Sequence, residues 1–174
     1  RSAFDATYAW GWKEAMQELV ANGSGAGAMR GYYSGQNVTW PKGAFRMVYT
    51  DNHDQNSWDG VASDIYGPAY ETAIALSFVG PGIPLIYNGQ EADLNRQLEF
   101  FEKDEIEWRD GQYNDLFRQL IVLKTQERAL WNGKHGDGLL EVPNDAAADV
   151  LSFVRGEGKE RVLAIFNLSP RNHE

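Results

Sequence analysis

The stretch Phe45-Arg46-Met47-Val48-Tyr49-Thr50-Asp51-Asn52-His53-Asp54 decides the fold. Its first six residues alternate between two faces and are rich in β-favouring types, which predicts a strand. The strand stops at four polar residues. Where strands alternate with helices, ligands bind at the carboxyl ends of the strands. A carboxylate beside an imidazole there suits the gripping of a polyhydroxylated substrate; the alternative is a solvated turn with Asn and Asp as local caps.

Outward from this strand, apolar runs and helical patterns alternate along the chain. The predicted strands cover residues 4–8, 45–50 and 85–87, and the predicted helices cover residues 12–20, 68–78 and 114–128. This order favours an α/β fold with a parallel sheet and crossover helices. The segments between are expected to be loops: a glycine-rich one with aromatic content over residues 23–43 and a polar one over residues 55–67.

The pattern changes after Trp131. Glycines mark turns, and short strands are predicted over residues 139–142, 150–154 and 161–166, the last two joined by a hairpin connection over residues 155–159. This change in composition predicts a domain boundary, with one unit over residues 1–131 and a second, all-β unit over residues 132–174.

Composition narrows the classes of function. The chain has 174 residues, of which 43% are hydrophobic, so a sizeable core is expected. Aromatic residues make up 13%, and their rings are suited to stacking on the apolar faces of sugars. Its formal charge of −9 argues against nucleic acid and against an anionic membrane surface as partners. No apolar run approaches the roughly 20 residues that cross a bilayer. Zero cysteines exclude disulfides, thiolate catalysis and cysteine-based metal sites.

Several segments, in this order, resemble glycoside hydrolase family 13, the α-amylase family. Asn52-His53-Asp54 at a strand end is similar to the fourth conserved region of that family. Residues 82–91 resemble the Gly-x-Pro-x-x-Tyr-x-Gly-x-Glu pattern at its eighth barrel strand, and residues 162–169 resemble a strand of its C-terminal β-domain. The resemblance covers essentially the whole chain. It implies the last three βα units of a (β/α)8 TIM barrel, beginning at the sixth strand, followed by the first strands of an antiparallel β-sandwich.

The resemblance also implies an activity, the retaining hydrolysis of α-glucosidic bonds. By motif match, Asp54 is the carboxylate that stabilises the transition state, and His53 binds a hydroxyl of the same sugar. Asn52 and Trp58 are further candidates for substrate binding, and Glu91 and Tyr87 are expected to support the site structurally. The family's nucleophile and acid/base lie on its fourth and fifth strands, outside this chain, so we expect the chain alone to be inactive.

Structural roles are alternative interpretations of several candidate residues. Trp58 stacks on a sugar or packs on its own loop, and the aromatic residues at positions 32, 33 and 40 line a subsite or form a packing cluster. His135 and His173 lack partners at metal spacing, and Asp145 and Asp149 lack calcium-loop spacing, so no metal and no cofactor are predicted for the chain. Calcium is left open for a longer protein.

Alternatives to hydrolysis stay open at this stage. A glucanotransferase of the same family differs in loops that this chain mostly lacks, and a non-catalytic carbohydrate-binding or transporter-associated relative is a different class. The expected partner is an α-glucan or maltooligosaccharide. We expect the chain to be a piece of a longer protein that self-associates or packs against the missing sequence. The compartment is not settled, with an extracellular or periplasmic one favoured.

Overall fold

The computed structural model describes residues 4–23, 26–40, 43–136 and 138–173. The strands are β1 (Ala6–Tyr8), β2 (Phe45–Tyr49), β3 (Ile83–Leu85), β4 (Leu139–Glu141), β5 (Val150–Glu157) and β6 (Glu160–Asn167). The helices are α1 (Trp10–Asn22), α2 (Gly27–Thr39), α3 (His53–Trp58), α4 (Ala62–Tyr66), α5 (Tyr70–Val79) and α6 (Asn114–Gln126). Short 3-10 turns occur at Gly67–Ala69, Gln90–Ala92, Arg128–Leu130 and Gly133–His135.

Strands β1, β2 and β3 form a parallel sheet in chain order, which confirms the predicted alternation of parallel strands and crossover helices. Tyr8 pairs with Met47, and Tyr49 pairs with Leu85, so the carboxyl ends of the three strands lie along one edge. The third strand begins two residues earlier than predicted. Gly82, just before it, has φ of 136°, and a Cβ there would lie 2.8 Å from Cγ1 of Val48. Glycine therefore permits the close approach of β3 to β2.

Strands β4, β5 and β6 form a separate antiparallel sheet in chain order. The predicted hairpin is confirmed, but it is tighter than predicted, because Glu157 pairs with Glu160 and leaves Gly158 and Lys159 as the connection. Gly156 and Gly158 have φ of 88° and 58°, conformations that favour glycine.

Two predicted loops are wrong. Residues 27–39 form α2, and its buried residues Met29 and Tyr33, with Ala26 just before the helix, follow the helical period. The helix contains glycines at positions 27, 31 and 35, two of them exposed and one half-buried, and glycine's low helix propensity favoured the prediction of a loop. The polar loop over residues 55–67 contains most of α3 and all of α4, where the buried Tyr66 anchors the short helix in the core.

One hydrophobic core connects the two sheets. Helix α5 contributes buried residues on most of its faces, and Trp12 of α1 is fully buried beside them. Leu151 and Phe153 of β5 belong to the same cluster, and the Phe153 ring lies 6.4 Å from that of Tyr33. The change in composition near residue 131 therefore does not separate two cores, and the division of the chain there stays a prediction. In the described part of the chain, no helix is long and apolar enough to span a bilayer.

A buried guanidinium joins the second sheet to the ends of two helical segments. Arg155 of β5 is 1% exposed, and its Nη1 donates to the carbonyls of Val79, Gly80 and Leu130 at 3.2, 3.0 and 3.1 Å. Its Nη2 donates to the carbonyl of Trp131 at 2.7 Å. These acceptors lie at the ends of α5 and of the 3-10 turn after α6, where carbonyls lack partners within the helix. One side chain thus satisfies main-chain groups from two segments.

A second buried cation lies in the same junction. Lys124 of α6 donates to the carbonyls of Phe78 and Leu130 at 2.8 and 3.0 Å. Burial, together with the nearby charge of Arg155, lowers the pKa of Lys124 to about 7. The junction is therefore built from main-chain acceptors and two side-chain donors.

Replacement of Arg155 by Met should destabilise the chain by about 3 to 5 kcal/mol, because three buried carbonyls and one partly buried carbonyl lose a donor. Arg161→Met is the matched control, because Arg161 lies on the adjacent strand and is exposed; it should change stability by less than about 0.5 kcal/mol. Urea unfolding of the three proteins measures both effects. Equal losses in the two variants would contradict this account of the junction.

Candidate active-site edge

The side chain of Asn52 caps the start of α3, which follows β2 along the chain. Asn52 is extended, with φ of −154° and ψ of 179°, and its Oδ1 accepts a hydrogen bond from the Gln55 amide at 2.8 Å. Asp51 precedes it and accepts from the Asn52 amide at 2.9 Å. This is an N-cap, and it starts the helix at His53. Asn52 is 1% exposed, so in this conformation its role is to position the helix and it presents no surface to a sugar.

The cap places His53 and Asp54 in the first turn of α3, at the carboxyl edge of the parallel sheet. Nε2 of His53 lies 3.5 Å from Oδ1 of Asp54. Their side chains are 54% and 44% exposed. The pair therefore presents a carboxylate and an imidazole to solvent, side by side, at the edge where ligands of such sheets bind. A carboxylate accepts from hydroxyls, and an imidazole adds a directed donor or acceptor.

The neighbouring strand end is tied to β2 through Gln90. Its Nε2 donates to the hydroxyls of Thr50 and Tyr70 at 2.9 and 2.7 Å, and its Oε1 accepts from the Tyr87 amide at 2.7 Å. Tyr87 lies two residues after β3 and is half-buried. Oε2 of Glu91 accepts from the Gly89 amide at 3.0 Å, so this carboxylate braces its own turn. Gln90 is the buried group that fixes this edge.

Trp58 lies at the other end of α3 and belongs to an exposed aromatic cluster. Its ring centroid is 5.5 Å from that of Phe100 and 6.4 Å from that of Phe101. Phe100 also stacks on His53, with centroids 6.0 Å apart and the planes at 25°. Phe100 and Phe101 were not predicted from the sequence to lie near the site. The available signal was a pair of adjacent aromatics within the strongly charged segment 96–109.

Asp51 lies beneath the exposed pair and is itself buried. Burial raises the pKa of its carboxyl to about 7, and the hydrogen bonds from Asn52 and Asn56 oppose the shift. Asp51 is 2% exposed and has no direct path to a ligand. It is a titratable part of the turn that carries the site.

Other candidates lie away from this edge. A cleft of about 670 Å³ opens at the amino ends of β2 and β3, and Tyr33 and Trp40 line it together with Phe45, Arg46 and Gly82. Tyr33 and Trp40 therefore lie at the opposite edge of the sheet from Asp54. His173 lies 2.9 Å from Asp149, which also pairs with Arg171.

Among the residues that the structure describes, no group of three or more histidines or acidic residues is arranged to hold a metal ion. The expectation of no metal stays a prediction.

Parallel strands followed by helices, polar side chains at their carboxyl edge and a second antiparallel sheet define the class of fold: part of a (β/α) barrel followed by a sheet domain. Solved structures share this fold. A maltogenic α-amylase from Thermotoga neapolitana matches 96% of this chain with a TM-score of 0.80 at 22% identity, and a cyclomaltodextrinase matches 94% with a TM-score of 0.75 at 18% identity.

The amino-acid sequence of the chain is also similar to that of a known amylase. Alpha-amylase 2 from Dictyoglomus thermophilum is 27% identical over 139 residues, which cover 72% of this chain. No family model matches. The sequence and fold matches together confirm the resemblance to the α-amylase family. The chain spans 23% of the length of that amylase, and 39% and 28% of the two solved chains.

The buried Asp51 should make stability depend on pH. Its pKa in the folded state lies above the ordinary value of 3.8, so between about pH 4 and pH 7 the folded chain keeps a proton that the unfolded chain releases. Stability therefore falls as the pH rises through this window, by on the order of 2 to 4 kcal/mol.

Asp51→Asn should lack this component, because the amide is neutral at every pH and still offers an oxygen to Asn52. The measurement is the free energy of unfolding of both proteins at pH 4, 5, 6, 7 and 8. Parallel curves for the wild type and the variant would contradict the prediction.

Proposed function

We propose that this chain is the C-terminal part of a retaining α-glucan-active glycoside hydrolase of the α-amylase type. In this proposal β1, β2 and β3 are the sixth, seventh and eighth strands of a (β/α)8 barrel, and β4 to β6 begin its C-terminal β-domain, with the division near residue 131. The observation that carries the proposal is the Asp54–His53 pair, exposed at the carboxyl end of the middle strand. The match to an amylase over most of the chain supports it.

Asp54 is the transition-state stabiliser in this proposal. A carboxylate that accepts hydrogen bonds from sugar hydroxyls helps the reaction only if those bonds strengthen as the ring distorts towards an oxocarbenium-like state. His53 holds a hydroxyl of the same ring, and its contact with Phe100 limits the orientations of the imidazole. The nucleophile and the acid/base come from strands outside this chain. Asp54 and His53 therefore bind and stabilise but break no bond.

The remaining candidates have supporting roles. Trp58 offers an exposed ring face for a further sugar unit, with a side chain that is 63% exposed. Gln90 holds the end of β3 against β2 and binds the Tyr87 amide, Glu91 braces the turn after β3, and Asn52 starts the helix that carries the pair. The ligand is an α-glucan or maltooligosaccharide. No cofactor is required by this arrangement.

Asp54→Asn, made in the longer protein that carries this chain, should lower kcat for a nitrophenyl maltooligosaccharide by about 100- to 1000-fold, because the amide cannot supply the charge that the transition state needs. KM should change far less. Asp115→Asn is the control, because it neutralises an exposed carboxylate on α6. Unchanged kcat in Asp54→Asn would overturn the assignment. Product analysis with maltoheptaose separates hydrolysis from transfer, since transfer yields products longer than the substrate.

The isolated chain of residues 1–174 should show no turnover of the same substrate or of starch, because it lacks the two carboxylates that perform the chemistry. A matched Asp54→Ala chain sets the background rate. Turnover of the unmodified chain above that background would show that the reacting groups lie within these residues.

A further inference from the structure

Three aromatic side chains form a continuous exposed surface beside the candidate site. Trp58, Phe100 and Phe101 are 63%, 39% and 81% exposed, and we call them the aromatic platform. Phe100 and Phe101 are 4.8 Å apart at an angle of 79°, and both contact Trp58. Adjacent exposed rings of this size mark a binding surface, because leaving them in water forfeits the free energy that burial would provide.

The loop that carries Phe100 and Phe101 is held rigidly. Arg96 binds Asp104 through two hydrogen bonds of 2.6 and 2.7 Å, which lower the pKa of the Asp104 carboxyl. The same carboxylate accepts from the amides of Glu99 and Glu105 at 3.0 and 2.9 Å. Asp104 therefore closes the loop around Phe100 and Phe101 and fixes its curvature.

Helix α3 also binds this loop through hydrogen bonds. Asn56 accepts from the Leu98 amide at 2.8 Å and donates to the Arg96 carbonyl at 3.3 Å. Ser57 donates to the Leu98 carbonyl at 2.8 Å, and Gln97 donates to the Ser57 carbonyl at 3.1 Å. The helix that presents His53 and Asp54 thus also positions the platform. A preorganised surface binds with a smaller loss of conformational entropy.

The platform is continuous with the proposed sugar grip. Phe100 contacts Trp58 and also stacks on His53, so a chain of ring contacts runs from the platform to the imidazole. The surrounding loop carries exposed acidic residues at positions 99, 102, 105 and 107. These groups disfavour anionic ligands and accept hydrogen bonds from hydroxyls. A neutral ligand with flat apolar faces and many hydroxyls matches both properties.

We propose that the aromatic platform is a second sugar subsite, at which a glucose unit of the α-glucan stacks on the ring of Phe101 and contacts Trp58, whose plane lies at 70° to that ring, while another unit is held by His53 and Asp54. The proposal rests on the proposed function, because that function supplies the ligand. The Arg96–Asp104 pair and the Asn56 amide are positioning groups that hold the subsite in place.

The test is maltoheptaose binding by the longer protein in the Asp54→Asn background, where turnover does not consume the ligand. Adding Phe101→Ala should weaken binding in calorimetry by roughly 3- to 10-fold, the worth of one ring-stacking contact. Phe101→Tyr should restore the affinity, because it retains the ring. Leu163→Ala is the control, since Leu163 is 58% exposed on β6, and it should leave binding unchanged. Phe101 is 81% exposed, so its replacement should leave the folded structure intact.

A kinetic arm in the otherwise unmodified protein separates this proposal from the function on which it rests. Phe101→Ala should raise KM for maltoheptaose by the same factor and leave kcat within about twofold, since uniform binding is lost. Unchanged affinity and unchanged KM in Phe101→Ala, with kcat still abolished by Asp54→Asn, would overturn the subsite and leave the function intact. Weaker binding in Phe101→Ala in a protein that Asp54→Asn does not impair would support the subsite and refute the hydrolase. Equal weakening by Leu163→Ala would overturn the subsite.

Discussion

The hydrogen bond from the Gln55 amide to the side chain of Asn52 connects the fold to its candidate chemistry. A buried strand has to become a helix within three residues, and the cap satisfies an amide that the helix itself leaves without a partner. Everything presented at this edge follows from that turn. His53 and Asp54 share its first turn, Asn56 and Ser57 grip the loop opposite, and Trp58 closes the helix. One local interaction therefore sets the positions of the sugar grip and of the aromatic platform together.

Local patterns made part of this arrangement predictable. The alternation in β2 and the four polar residues after it identified the edge, because both signals lie within ten consecutive residues. The order of strands and helices gave the parallel sheet, and the glycines around residue 158 gave the hairpin. His53 and Asp54 were named from their position at a strand end and from a motif, and neither source depends on distant contacts.

The remainder depends on contacts that a sequence does not display. Phe100 meets His53 only because Asn56 and Asp104 shape a loop some forty residues further along the chain. Arg155 donates to main-chain carbonyls. Every residue has a carbonyl, so the sequence does not indicate which residues bind Arg155. The glycines of α2 hid a helix because glycine disfavours a helix when it is judged by local propensity, and here the packing of Met29 and Tyr33 into the core decides the structure.

The choice of main-chain acceptors by Arg155 bears on how this molecule tolerates change. With a side-chain acceptor, the attachment of β5 to α5 would depend on a particular pair of residues, and either could be lost by a single mutation. Carbonyls persist through any substitution that preserves the path of the backbone, so replacements at Val79 or Trp131 alter packing and leave the acceptor in place. Mutations on the acceptor side therefore leave the attachment of β5 to these segments in place. Arg155 itself is the position at which a single mutation would remove the attachment.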